Sequence, residues 1–113
     1  MPKDIIVRSM SQICTNAVSE DVRLDAWPSD LLVRWDRVVM RDLQTANTRM
    51  EILLVRGGET YYLASGLPGA VGYTFPLVGP VYAPGDFRLV GRFVGATAGD
   101  TLELFAYGEA VSD

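Results

Sequence analysis

The second half of the chain is punctuated too often to hold a long helix. Gly57-Gly58, Gly66, Pro68-Gly69, Gly72, Gly79-Pro80, Pro84-Gly85-Asp86, Gly95 and Gly99-Asp100 cut it into short pieces. Glycine and proline end helices and mark turns, and helices of about ten or more residues do not fit between most of these breaks. Short strands do, so the punctuation predicts an all-β fold. At 113 residues the chain is read as a single domain over 1–113. A chain of this size buries roughly two thirds of the surface its unfolded form exposes, enough for one core without disulfides or metal.

The pieces between the breaks alternate as half-buried strands do. Thr101 to Tyr107 puts Leu102, Leu104 and Ala106 on one face and Thr101, Glu103, Phe105 and Tyr107 on the other. Phe87 to Val94 puts Phe87, Leu89 and Phe93 on one face, with Arg88 and Arg92 opposite. The loop Gly95 to Asp100 between these two strands is short enough for a hairpin. Arg49 to Arg56 is a strand with Met50, Ile52 and Leu54 inward, and Glu59 to Ser65 is its return strand after a Gly57-Gly58 turn. Both glycines accept positive φ, which suits a tight hairpin.

Two segments are less regular. From Leu31 to Arg41, Leu31, Val33 and Trp35 share one parity while Val38 and Met40 share the other. A helix could line up Leu32, Trp35, Val39 and Met40, but abundant β-branched and aromatic residues favour a strand. The change of parity then predicts a β-bulge near Asp36-Arg37, with Gln44 to Asn47 as the turn that follows. Residues 1–20 carry a strand signal only over Asp4 to Arg8; Ser9 to Asn16 is polar and weakly patterned. They read as a loose terminus or as an N-terminal arm on a neighbouring subunit.

Bulk charge removes some partners. Fourteen acidic and ten basic residues give a net charge of −4, so neither nucleic acid nor an anionic membrane is expected to bind. Nine of the basic residues are Arg and only Lys3 is Lys. Genomic base composition is the simpler explanation, and a role in protein interfaces, where Arg is enriched, is the functional one. The N-terminal MPKDIIVRSMSQICTNAV has no apolar core of the signal-peptide kind. No window approaches the ~20 apolar residues of a membrane span. The protein is expected to fold in a cytoplasm and stay soluble.

Chemistry is narrowed mainly by histidine, of which the chain has none. Ser-His-Asp and Cys-His nucleophile pairs and imidazole zinc sites are therefore excluded. Cys14 is the single cysteine, so no intramolecular disulfide forms, and a small packed or surface thiol is the favoured reading. Carboxylate chemistry stays open in principle, since a glycosidase needs two carboxyls about 5 to 10 Å apart. Asp36, between Trp35 and Arg37, is the most interesting acid, and pairing with an arginine at the bulge is the favoured account of it. Gly66-Leu-Pro-Gly69 and Gly95-Ala-Thr-Ala-Gly99 lack the Lys-Ser or Lys-Thr end of a phosphate loop and read as turns. No calcium-loop spacing occurs. No enzyme, catalytic residue, metal or cofactor is expected. Trp27, Trp35, Tyr61, Tyr62, Tyr73, Phe75 and Tyr82 are the aromatics a sugar-binding sandwich could present. Core or edge packing explains each as well: one of Tyr61 and Tyr62 should face inward, and Trp27, before Pro28, would cap one end of the core.

The order of these features resembles a known class. A Pro- and Asp-containing turn leads into a Trp-bearing strand (Trp27 to Trp35), a strand runs into a Gly turn (Ile52 to Gly58), an apolar extended stretch follows (Tyr73 to Tyr82), and a Pro-Gly turn leads to Phe87-Arg-Leu-Val90. This is similar to the small jelly-roll-like virion proteins of tailed bacteriophages, the capsid decoration or cement class. The resemblance spans about residues 20–111 as a rhythm of strands and turns and carries no residue-level motif. It implies an antiparallel β-sandwich of about eight strands in two sheets. It also implies a structural role in the virion, as a homo-oligomer such as a trimer that binds copies of itself and the major capsid or tail protein. Ile5, Ile6, Trp27 and Tyr82, at the terminus or at strand ends, are the expected interface residues. A carbohydrate- or receptor-binding sandwich is the alternative, and it predicts coplanar aromatics on one exposed face.

Overall fold

A computed structural model describes residues 4–27, 32–45, 48–67 and 74–111. They form eight strands: β1 (Asp4–Ile13), β2 (Ser19–Arg23), β3 (Leu32–Asp42), β4 (Arg49–Arg56), β5 (Glu59–Gly66), β6 (Phe75–Pro84), β7 (Arg88–Val94) and β8 (Thr101–Val111). The expected turns around Pro28, Ala46-Asn47 and Pro68-Gly69, together with Leu31, Gly72 and Tyr73, lie outside the described residues. All strand pairs are antiparallel, in a first sheet of order β1-β8-β3-β6 and a second of order β2-β7-β4-β5. Eight strands distributed this way between two facing sheets make a jelly-roll β-sandwich.

The period-two pattern assigns the core. Leu102, Leu104 and Ala106 from β8 meet Met50, Ile52, Leu89 and Phe93 from the second sheet, and all are buried. Each large side chain fully buried in this way contributes roughly 1.5–3 kcal/mol. Phe87 lies just before β7 and is buried as its alternation requires. Gly91 occupies an inward position of β7, where an added Cβ would meet Met40 at 3.0 Å and Leu104 at 3.2 Å. The missing side chain lets those two residues of the first sheet reach across.

The segment read ambiguously between helix and strand is β3, and its bulge lies where the parity changes. Pairing with both β6 and β8 shifts register between Trp35 and Arg37. The extra residue lets Val33 and Trp35, then Val38 and Met40, all point inward. Both neighbouring strands make room with glycine. A Cβ on Gly108 of β8 would lie 2.0 Å from the Arg34 carbonyl oxygen, and one on Gly79 of β6 would lie 2.2 Å from the Trp35 carbonyl oxygen.

Three local expectations are corrected. The loop from Gly95 to Asp100 is not a hairpin, because β7 and β8 belong to different sheets. It carries the chain across the sandwich, with Ala96 buried beneath it and Gly95 and Gly99 at positive φ. The N-terminal segment is neither loose nor an arm over residues 4–13. It is one ten-residue strand in unbroken register with β8, from Asp4 opposite Ala110 to Ile13 opposite Thr101. Backbone pairing held this strand together where its polar side chains gave no pattern. Finally, both Tyr61 and Tyr62 are exposed, because they lie on β5, an edge strand. The Gly57-Gly58 hairpin forms as expected, with Arg56 paired to Glu59 and only Gly57 at positive φ.

Candidate interaction face

The outer face of the first sheet is built by the same alternation that builds the core. With Leu102, Leu104 and Ala106 inward, Phe105 and Tyr107 must point out. Register then places Val7 of β1 opposite Tyr107 and Val39 of β3 opposite Phe105. Ile5, Val7, Leu32, Tyr82, Phe105 and Tyr107 are all exposed. They share the face with charged residues: in register, Glu109 and Arg34 stand between Ile5 and Tyr82, and Arg37 lies beside Tyr107. Isolated surface apolar residues need no explanation, whereas a group sharing one face is a candidate interaction surface.

Arg34, Asp36 and Arg41 of β3 and Glu103 and Glu109 of β8 pair on this face, while Arg37 is exposed and joins no ion pair among the described residues. Arg34 donates to both carboxylate oxygens of Asp36, at 2.9 and 3.2 Å, and forms an ion pair with Glu109 at 3.2 Å. The hydrogen bond to Asp36 pushes the Arg34 guanidinium above its ordinary value despite some desolvation. Asp36 is therefore the arginine-paired acid of a bulge. Arg41 donates to Glu103 Oε1 across β3 and β8. Between this pair and Phe105 runs a groove of about 460 Å³, lined by Ser9, Ser11, Val39 and Thr74 among others.

The four residues expected at an interface are placed differently from one another. Ile5 is 76% exposed and Tyr82 58% exposed, on opposite edges of this face. Ile6 turns the other way and packs, half-buried, against the core. Trp27 is a correction: only 3% exposed, it lies edge-on to Trp35 at 5.3 Å between ring centroids and has no surface to offer a partner. Its carbonyl accepts the Asp86 N–H between β6 and β7, which places it at an end of the sandwich, where its large apolar ring joins the core. Neither indole N–H, of Trp27 or of Trp35, meets an acceptor among the described residues. Sequence reasoning missed Val7, Phe105 and Tyr107 as surface candidates. The signal was present in β8, where the outward set of the alternation carries two aromatics.

The aromatics of this face are not a flat platform. Phe105 and Tyr107 lie 6.2 Å apart with their rings tilted by 57°. Tyr61 and Phe87, near the other sheet's edge, are tilted by 53°.

Other polar groups make hydrogen bonds within the domain. Cys14 is buried with its thiol 3.5 Å from the Asn16 carbonyl, and burial pushes its pKa up. Asp42 accepts the N–H groups of Gln44 and Thr45 and the hydroxyl of Thr48. Asp100 accepts the Thr45 hydroxyl and the Thr97 N–H. Burial pushes Asp100 up, but these hydrogen bonds outweigh it and hold the carboxyl below its usual range. Among the described residues no three His, Cys, Asp or Glu side chains converge as metal ligands would.

The chain matches no protein-family model and no curated protein. Among solved structures, a chain in the structure of infectious bursal disease virus, Gx strain, is similar over 96% of this chain at 10% identity, with a TM-score of 0.48. The match takes in 31% of that viral chain, so this protein spans about a third of its length.

Proposed function

We propose that the protein is a structural component of a virus particle, of the capsid decoration kind in tailed phages, and that it works by covering surface. The observation that carries this reading is the apolar outer face of the first sheet. Ile5, Val7, Phe105, Tyr107 and Tyr82 stand exposed on one side of a domain whose core is already complete without them. The partner on this face is the major capsid or tail protein, and no catalytic step is involved. The jelly roll supports the reading only as a scaffold, since it serves viral capsid and lectin domains alike. Between those two uses the tilted rings favour protein over sugar, because a pyranose stacks on flat or coplanar aromatic faces.

Co-sedimentation of the purified protein with virus particles of the same source tests this. Saturable binding is expected, weakened at least tenfold by Tyr107→Asp with circular dichroism unchanged. Absence of binding by the wild-type protein, or retention of specific glycans on an array, would overturn it.

A further inference from the structure

A two-sheet sandwich leaves four strand edges, and three of these are defended. Edge strand β6 carries Pro76, Pro80 and Pro84, which cannot donate to a ladder. Edge strand β2 has only five residues. Edge strand β5 is broken where Ile52 faces Ala64 but Leu53 faces Tyr62, leaving Leu63 as the extra residue of a bulge. Short strands, prolines, bulges and charged side chains are the usual protections against strand addition.

Edge strand β1 has none of the backbone protections and carries only the charges of Asp4 and Arg8. Its ten residues, DIIVRSMSQI, include no proline and no lysine, and its register with β8 is unbroken. Its outward residues Ile5, Val7 and Ile13 are exposed, and so are Arg8 and Met10, whose parity would otherwise point them toward the second sheet. No other strand pairs with the far side of β1 among the described residues. Arg8 donates only to the carbonyl of Val7, 3.1 Å away, and joins no ion pair among the described residues.

We infer that β1 pairs antiparallel with β1 of a second copy, giving a two-fold dimer with one continuous eight-stranded sheet. A two-fold axis through the sheet keeps inner and outer faces in line, so each residue must meet one of its own parity. Centring the pair on Arg8 would set guanidinium against guanidinium. Centring it on Ile6 sets Ile6 against itself, Ile5 against Val7, and Arg8 opposite Asp4 of the other copy. That register sets an acid opposite Arg8, which joins no ion pair among the described residues, and directly opposed charges of unlike sign stabilise a strand pair. It also joins the two apolar outer faces into one. The inference deepens the surface-covering reading by naming one partner, and its test is independent of any particle.

Size-exclusion chromatography with light scattering on the purified chain is expected to give twice the 12.4 kDa chain mass at tens of micromolar. Arg8→Glu places like charges opposite each other and should raise the dimer Kd at least tenfold. The charge swap Asp4→Arg with Arg8→Glu should restore the dimer, which no effect on folding alone would do. A monomeric or trimeric wild-type protein, a swap that stays monomeric, or an Arg8→Glu variant as dimeric as the wild type would each overturn the inference. A dimer that ignores virus particles would leave it standing and sink the virion reading; a monomer that binds them would do the reverse.

Discussion

On the outer face of the second sheet, Asp21 of β2 accepts from Arg92 of β7 at 2.9 and 3.3 Å, and the same guanidinium donates to the hydroxyl of Tyr62 on β5. Since β4 lies between β7 and β5, the Tyr62 ring crosses β4, where Leu53 stands opposite it in register. Leu53 and Val90 point outward by parity, yet they are 0% and 2% exposed. The outer face of the first sheet has its own ion pairs, but its apolar side chains stay uncovered. Both faces come from the same alternation over the same core. The difference lies in what covers their apolar side chains: a tyrosine and an arginine on one, and ion pairs that leave Ile5, Val7, Phe105 and Tyr107 exposed on the other. A face covered by its own side chains is complete in the monomer, whereas an uncovered one calls for a partner.

The bulge in β3 decides which residues of the first sheet face out. Gly108→Ala forces a Cβ to within 2.0 Å of the Arg34 carbonyl oxygen. The clash is with backbone, which cannot rotate away. The variant should lose about 3 kcal/mol, seen as a lower urea midpoint. An unchanged midpoint would mean that the bulge relaxes freely and the two faces are less firmly specified than the packing implies.

Acid should loosen the joint between the sheets. Glu20 of β2 accepts from the Thr15 N–H and hydroxyl and the Asn16 N–H at 3.0–3.1 Å, and from Gln12 of β1 at 2.8 Å. The backbone N–H of Thr15 is the main cause that holds its carboxyl below the ordinary range. A lowered folded-state pKa contributes stability that is complete above the unfolded value and disappears as pH falls through the folded one. Glu20→Gln should therefore cost about 1–2 kcal/mol at neutral pH. Its urea midpoint should converge with that of the wild type below the usual glutamate range. A gap that persists in acid would assign the effect to shape rather than charge.

Much of this was legible in the residues. Alternation in β7, β8 and β4 gave the core, and the parity change gave the bulge at Asp36. What stayed hidden depended on distant pairing. Nothing local in Gly95 to Asp100 distinguishes a hairpin from a crossing between sheets, because both need a short, glycine-rich loop. β1 is polar on many positions because it is an edge, so its strand character resides in the backbone bonds to β8. Tyr62 reads as a platform aromatic until Arg92 is found 30 residues later in the chain, within reach of its hydroxyl. Trp27 was placed correctly as a core cap but wrongly as an interface residue, since a single indole cannot serve both.

The smallest effects test the two faces directly. Tyr62→Ala removes the ring that crosses β4 and exposes Leu53 and Val90 to water, which should cost about 1–2 kcal/mol. Phe105→Thr replaces an aromatic that is already 36% exposed with a residue that suits a strand as well. Its cost should stay within about 0.5 kcal/mol. Thermal melts of the two variants, run at a concentration where both are monomeric, give the contrast. Equal losses would show that Phe105 helps hold the monomer together as Tyr62 does, and the first sheet's outer face would then be part of the fold. A loss confined to Tyr62→Ala, with particle binding lost only in Phe105→Thr, separates a face that stabilises the domain from one kept for another molecule.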